Sequence, residues 1–120
     1  MNSEKFTNAF TELLQEAYTL ATQEQYSTFS TINLLFAALN NDFCASGFRA
    51  CDLDMGKLRD IVDQELSRLP KVTGGQISVD NSFQKFLSEC EKEAKAFGDE
   101  FISLDVCMLA FAKTSTLPSQ

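Results

Sequence analysis

From Glu4 to Gln23 the apolar positions Phe6, Phe10, Leu13, Leu14, Ala17 and Ala21 recur at steps of three and four residues, which predicts one buried face of a helix. Ser3 stands where an N-cap is expected, with Glu4 in the first turn. The polar connector QEQYSTF follows, and Ser30 then precedes TINLLFAALN, a run apolar nearly all round and therefore expected at the centre of a core. FCASGFRAC fits a short helix weakened by Gly47. Asp54 is placed to cap MGKLRDIVDQELSRL, whose Leu58, Ile61, Val62, Leu66 and Leu69 form another stripe, and Pro70 stops that helix. KVTGGQISVD, with β-branched residues around Gly74 and Gly75, reads as a loop or a small hairpin. A helix restarts after Asp80 to Ser82, turning Phe83, Phe86, Leu87, Cys90, Ala94 and Phe97 inward. Gly98 is suited to close it in a left-handed C′ position, and Ser103 to cap the short apolar helix LDVCMLAFA before the polar tail KTSTLPSQ.

The chain repeats itself. A shift of 73 residues superposes Phe10 on Phe83, Leu14 on Leu87, Ala21 on Ala94, Ser30 on Ser103 and Ala37 on Ala110. Each copy is a long amphipathic helix, a polar connector, a serine cap and a short apolar helix, and two such hairpins are expected to bury their short helices against each other. The fold class is all-α: one helical domain over residues 1–120, with repeat 1 at about 3–69, a loop at 70–80 and repeat 2 at about 81–120. The first copy continues into Met55 to Leu69, whereas the second reaches Gln120 where that helix would begin. The second repeat is therefore expected to be incomplete and to leave apolar surface open.

Composition narrows the chemistry. The formal net charge is −7 and no Lys/Arg cluster interrupts it, which argues against nucleic acid, whose binding depends on neutralising phosphates. The longest apolar run, INLLFAAL, is too short to span a bilayer, and MNSEKFTNAF lacks the apolar core of a secretory signal, so a cytoplasmic, membrane-free protein is expected. Cys44, Cys51, Cys90 and Cys107 contain no C-x2-C pair, and without histidine no zinc site can be completed; reduced, buried thiols are expected. The lack of histidine also excludes Ser-His and Cys-His nucleophile activation. No GxxxxGK[ST] or GxGxxG loop is present.

The segment FGDEFISLD (Phe97 to Asp105) pairs acids in a way that suggests carboxylate catalysis, but general acid–base work needs one carboxyl with its pKa raised by burial beside an ionised partner. Asp99 lies in a connector, and Asp105 falls in the first turn of a helix, where a carboxylate is favoured by roughly 0.3–1 kcal/mol through the macrodipole. Capping, with contact to a partner added to it, accounts for these acids; no catalytic residue is expected.

SRLPKVTGG (Ser67 to Gly75) and GDEFISLDV (Gly98 to Val106), with TNAF (Thr7 to Phe10) and the LLFAAL helix, resemble the amino-terminal domain of ClpB-type disaggregase chaperones, collinearly over nearly all of the chain. The resemblance implies a fold of two four-helix repeats, the last one or two helices lacking here. It implies a non-catalytic recognition domain that engages exposed apolar segments of unfolded or aggregated polypeptides, or adaptor proteins, and delivers them to an ATPase ring. ATP, magnesium and hexamer formation would then belong to ATPase modules outside this chain, and no cofactor or metal is expected within it. Client-contact residues carried over from the family fall on Thr7, Leu87, Asp99, Asp105 and Val106, with Asp105 in place of the family's Glu. The expected groove lies between the second long helix and GDEFISLDV, with Leu87 and Val106 offering apolar area. Glu89 replaces an apolar groove residue, and Thr31 and Asn33 stand where family members usually carry Pro and His. A standalone adaptor or interaction protein using the same fold is the alternative; continuation of the gene into an ATP-binding GxxxxGK[ST] motif would decide between them.

Overall fold

The computed structural model describes residues 5–113. Six helices carry the fold: α1 (Asn8–Gln23), α2 (Thr31–Leu39), α3 (Asp42–Ala50), α4 (Met55–Ser67), α5 (Asn81–Ala96) and α6 (Leu104–Lys113). Two dipeptide strands, β1 (Thr28–Phe29) and β2 (Ser78–Val79), complete the described elements. The all-α reading holds.

Helix starts follow capping chemistry. The side chains of Thr7, Asn41, Asp54 and Asp80 accept from the backbone N–H of Phe10, Cys44, Lys57 and Ser82, and Ser103 Oγ accepts from Val106 N–H at 3.3 Å. Each such cap stabilises its helix by about 1 kcal/mol. The helix expected from Glu4 therefore begins four residues later. Phe6 is diverted into a parallel bridge with Ile102, and Thr7 rather than Ser3 becomes the cap. Ser3 lies outside the described residues.

The repeat is visible in the backbone. α1 and α5 are both 16 residues long, and their caps Thr7 and Asp80 stand one 73-residue shift apart, as do Ser30 and Ser103. Both long helices end in the same hydrogen-bonded motif. Gln25 (φ 63°) and Gly98 (φ 74°) occupy the left-handed position. Tyr26 N–H donates to Ala21 C=O at 3.1 Å, and Asp99 N–H to Ala94 C=O at 2.9 Å. Gln25 takes the strain of positive φ that Gly98 adopts freely.

The two copies interlock through their connectors. β1 runs parallel to β2, pairing Phe29 with Val79, and Asp80 N–H donates to Phe29 C=O at 2.9 Å. In the other copy Ile102 pairs with Phe6, and Thr7 N–H donates to Ile102 C=O at 3.0 Å. Each connector is thus tied to the residue that enters the long helix of the other repeat. Of the two readings of KVTGGQISVD, loop or small hairpin, the hairpin is not formed: Ser78 and Val79 are extended, but their partner is the distant connector. Helices cross the same boundary, with α1 on α6, α2 on α5 and α3 on α6, while α4 packs on α2.

One core spans both copies, with Phe10, Leu34, Leu35, Phe48, Phe83, Phe86 and Phe111 at or near complete burial. Gly47 does more than weaken its helix: a Cβ there would lie 3.0 Å from Met108 Cε, so the glycine admits α6 close to α3. Ile61, expected inward, is exposed, because α4 turns only Leu58, Val62 and Leu66 fully into the core. The Arg59 guanidinium donates to Leu39 C=O at 3.0 Å and to Asn40 Oδ1 at 3.3 Å, tying α4 to the carbonyl end of α2.

Asn33 makes itself part of a cap, its Oδ1 accepting from Ser30 N–H at 2.8 Å and from Ser30 Oγ–H at 3.0 Å. Thr31 has no such compensation, since its Oγ1 is buried without a hydrogen-bond partner. Thr31→Pro is expected to raise the unfolding free energy by about 1 kcal/mol, because proline suits the first helical position and removes the orphan hydroxyl. Ser30 already holds the extended conformation (φ −121°, ψ 172°) that a residue before proline prefers. Urea denaturation checks this, and a loss of stability in the variant would refute it.

Candidate functional site

A groove of about 470 Å³ opens where α5 meets the second connector. Its lining differs from the expectation. Asp99 is present, joined by Lys5, Glu91, Lys95, Glu100 and Phe101, with Ala94 and Ile102 at the core side. The walls follow from local sequence. Glu91 and Lys95 sit four residues apart on one face of α5, and Gly98 turns the chain so that the connector runs back along the helix.

The exposed apolar area in and beside this site comes from Phe101, which lines the groove, and from Phe97, which the helical pattern turns inward. Phe97 is 63% exposed and Phe101 50% exposed, whereas neighbouring Ile102 is 2% exposed. Phe97 caps α5 and lies beyond its last inward-facing turn, and Phe101 is separated from Ile102 by the side-to-side alternation of an extended chain. Ile102 alone pins the connector.

Leu87 and Val106 must be corrected in the opposite sense. At 8% and 2% exposure they belong to the core and offer no open apolar area. Val106 sits in the first turn of α6 on the same side as Cys107 and Ala110, where burial against the long helices is what anchors the connector. Glu89, expected to interrupt the apolar groove, is partly buried on α5.

Thr7 lies beside this region through the bond from its N–H to Ile102 C=O, and Lys5 C=O accepts from Ile102 N–H at 2.7 Å. Its hydroxyl is already engaged as the α1 cap, accepting from Phe10 N–H at 3.2 Å. Asp105 is exposed in the first turn of α6, where its charge faces the positive end of the helix. Thr7, Asp99 and Asp105 therefore border one neighbourhood around the second connector, and only Asp99 lines the groove itself. Lys5, Glu91, Lys95 and Phe101 escaped the sequence reading. The Glu91–Lys95 spacing was a usable signal, but no pattern brings Lys5 from the other end of the chain.

Burial, aided by Glu89, Glu91 and Glu93, pushes the Cys90 thiol up to about 12, and burial with a smaller effect of Asp105 pushes Cys44 up to about 11. Burial also holds Cys107 well above its ordinary range. These thiols stay protonated and behave as small apolar core residues. Among the described residues no group of three or more Cys, Asp or Glu side chains could hold a metal ion, and no helix is long and apolar enough to cross a membrane.

Similarities to known proteins accord with this geometry. Residues 5–119 match the Clp repeat (R) N-terminal domain model. The chaperone protein ClpB of Chlamydia muridarum is 34% identical over 120 residues, an alignment covering 96% of this chain and 14% of that protein. The chain thus spans about one seventh of the length of such relatives. The Hsp104 N-terminal domain from Candida albicans shares the fold at a TM-score of 0.79 and 19% identity, over 91% of this chain and 74% of that one. A ClpV N-domain solved in complex with a VipB peptide gives 0.78 at 12% identity, over 97% and 73%. By the family match and by its likeness to ClpB, this chain belongs to the Clp repeat N-terminal domain family.

Proposed function

We propose that this chain is the client-recognition domain of a ClpB-like, ATP-dependent disaggregating chaperone. It engages exposed apolar segments of unfolded or aggregated polypeptides and passes them to ATPase modules outside this chain. The observation that carries the reading is the groove beside the second connector. There Phe101 is open to solvent among Lys5, Glu91, Lys95 and Asp99, and Phe97, next to the turn at Gly98, is exposed as well. Aromatic anchors with a polar rim are the anatomy of a protein-binding surface, and the domain works there without a cofactor of its own. Asp99, Asp105 and Thr7 supply polar contacts at the border. Each hydrogen bond contributes about 0.5–1.5 kcal/mol, so binding is weak and tolerant of sequence.

A second reading, recognition of a defined adaptor peptide, is favoured by the ClpV N-domain that was solved with a VipB peptide on a like fold. Titration of an unfolded model protein and of folded candidate adaptors separates the two.

The polar contacts are tested by titrating an unfolded, fluorescently labelled model client against wild type and an Asp99→Asn/Asp105→Asn double variant. Thr7→Ser keeps the α1 cap and serves as the control for that position. The double variant is expected to bind about three- to tenfold more weakly, the equivalent of one or two modest hydrogen bonds, with thermal unfolding unchanged. Equal binding would remove these acids from the site.

A further inference from the structure

The internal symmetry shows what the second connector lacks. In the first repeat the chain lays its own segment Pro70–Val72 antiparallel along the connector. Ser27 N–H donates to Pro70 C=O at 2.9 Å, Val72 N–H donates to Gln25 C=O at 2.8 Å, and Tyr26 and Lys71 form the bridge between them. One 73-residue shift carries Gln25, Tyr26 and Ser27 onto Gly98, Asp99 and Glu100. The backbone turns the same way at both places, with positive φ at Gln25 and Gly98 and matching closure bonds from Tyr26 and Asp99. Yet among the described residues nothing donates to Gly98 C=O and nothing accepts from Glu100 N–H. Among the described residues, the second repeat presents the same backbone edge unpaired.

The side chains around the two edges point to the same kind of occupant. In the first repeat the Lys71 ammonium lies 3.4 Å from Glu24 Oε2 and 5.1 Å from the centre of the Tyr26 ring, so the inserted strand presents a cation to one acid and one aromatic. The shift carries Glu24 onto Phe97 and Tyr26 onto Asp99. Acid and ring change places, but both are still there, and the groove carries the acids Glu91, Asp99 and Glu100 against the lysines Lys5 and Lys95. The net charge of −7 favours a basic partner as well.

We infer that the second connector is a strand-addition site. An extended segment of a client polypeptide, with a Lys or Arg between apolar residues, pairs antiparallel with Gly98–Glu100 as Pro70–Val72 pairs with Gln25–Ser27. Its backbone carbonyl accepts from Glu100 N–H, and its N–H two residues on donates to Gly98 C=O. Its cation lies between Asp99 and Phe97, and its apolar residues cover Phe101. Main-chain bonds give affinity without strict sequence demands, which suits a domain that meets many unfolded chains. This deepens, and rests on, the reading of the domain as a polypeptide-recognition module.

The chain supplies its own probe, the synthetic peptide LSRLPKVTGGQ (residues 66–76). Added to the ¹⁵N-labelled domain, it is expected to shift the amides of residues 98–102 and to slow hydrogen exchange at Glu100. Methylating the backbone nitrogen of the peptide's valine leaves the domain untouched and removes the donor to Gly98 C=O; a loss of about tenfold in affinity is expected, as for one strong interaction. A peptide carrying Lys71→Glu should bind at least as poorly, because it sets like charges beside Asp99. Unchanged affinity of the methylated peptide, shifts confined to another face, or no binding at millimolar peptide would each overturn strand addition. An unfolded client that perturbs Phe97 and Phe101 while the Glu100 amide exchanges freely would overturn it too, and leave client recognition at the groove standing.

Discussion

Phe111→Ala is expected to lower the unfolding free energy by about 3–5 kcal/mol, the range for deleting a fully buried aromatic ring. Phe111 is completely buried near the C-terminal end of α6, its ring 4.6 Å from that of Phe86 and 6.4 Å from that of Phe48. Those neighbours belong to α5 and α3, so one side chain joins the two repeats. Its loss leaves a cavity that backbone movement cannot close without disturbing both copies. For a domain of this size the midpoint should fall by well over 10 °C, at roughly 4–8 °C for each kcal/mol. Urea unfolding followed by circular dichroism is the measurement, and Phe111→Leu, which retains most of the volume, should cost far less. A loss below about 1 kcal/mol for the alanine variant would mean that the repeats are not coupled through this ring.

Phe97→Ala/Phe101→Ala is the counterpart on the surface. Both rings are at least half exposed, so the double variant should unfold within about 0.5 kcal/mol of wild type, as surface substitutions do. Its affinity for an unfolded client should nevertheless fall about tenfold or more. Covering the open part of a phenylalanine ring gives on the order of 1 kcal/mol, and 1.4 kcal/mol is a factor of ten. Calorimetric titration with thermal melts on the same samples separates the two effects. Retained affinity would place client contact elsewhere on the domain. Val106→Ala should show the reverse pattern, reduced stability with affinity affected only through folding, because Val106 lies in the core.

Much of this protein is dictated locally. The 3.6-residue stripes placed α1, α4 and α5, the run apolar nearly all round placed α2, the asparagine and acid caps at Asn41, Asp54 and Asp80 mark helix starts in the structure, and Gly98 and Ser103 bracket the second connector as their chemistry requires. The repeat, too, was legible, since a shift of 73 residues is a property of the sequence and the caps obey it. Lack of histidine removes Ser-His and Cys-His nucleophile activation, and lack of a GxxxxGK[ST] loop removes that mode of phosphate binding, on sequence alone.

What the sequence left open was decided by contacts between residues far apart in the chain. Whether Ser78–Val79 forms a hairpin or crosses to Thr28–Phe29 depends on which backbone groups lie nearby once the helices pack, and periodicity carries no such information. The same holds for Phe6, taken out of the first helix by Ile102, and for Lys5, brought into a groove built some ninety residues away. Whether an apolar residue is core or surface depends on where its helix ends. Phe97 and Phe101 became surface because a left-handed turn at Gly98 and an extended connector aim them outward, and Leu87 and Val106 became core because α5 and α6 close on each other. Sequence alone determined the helices and their duplication. Only the tertiary structure decided which of the two connector edges is paired among the described residues, because hydrogen bonds between distant segments exist only after the chain has folded.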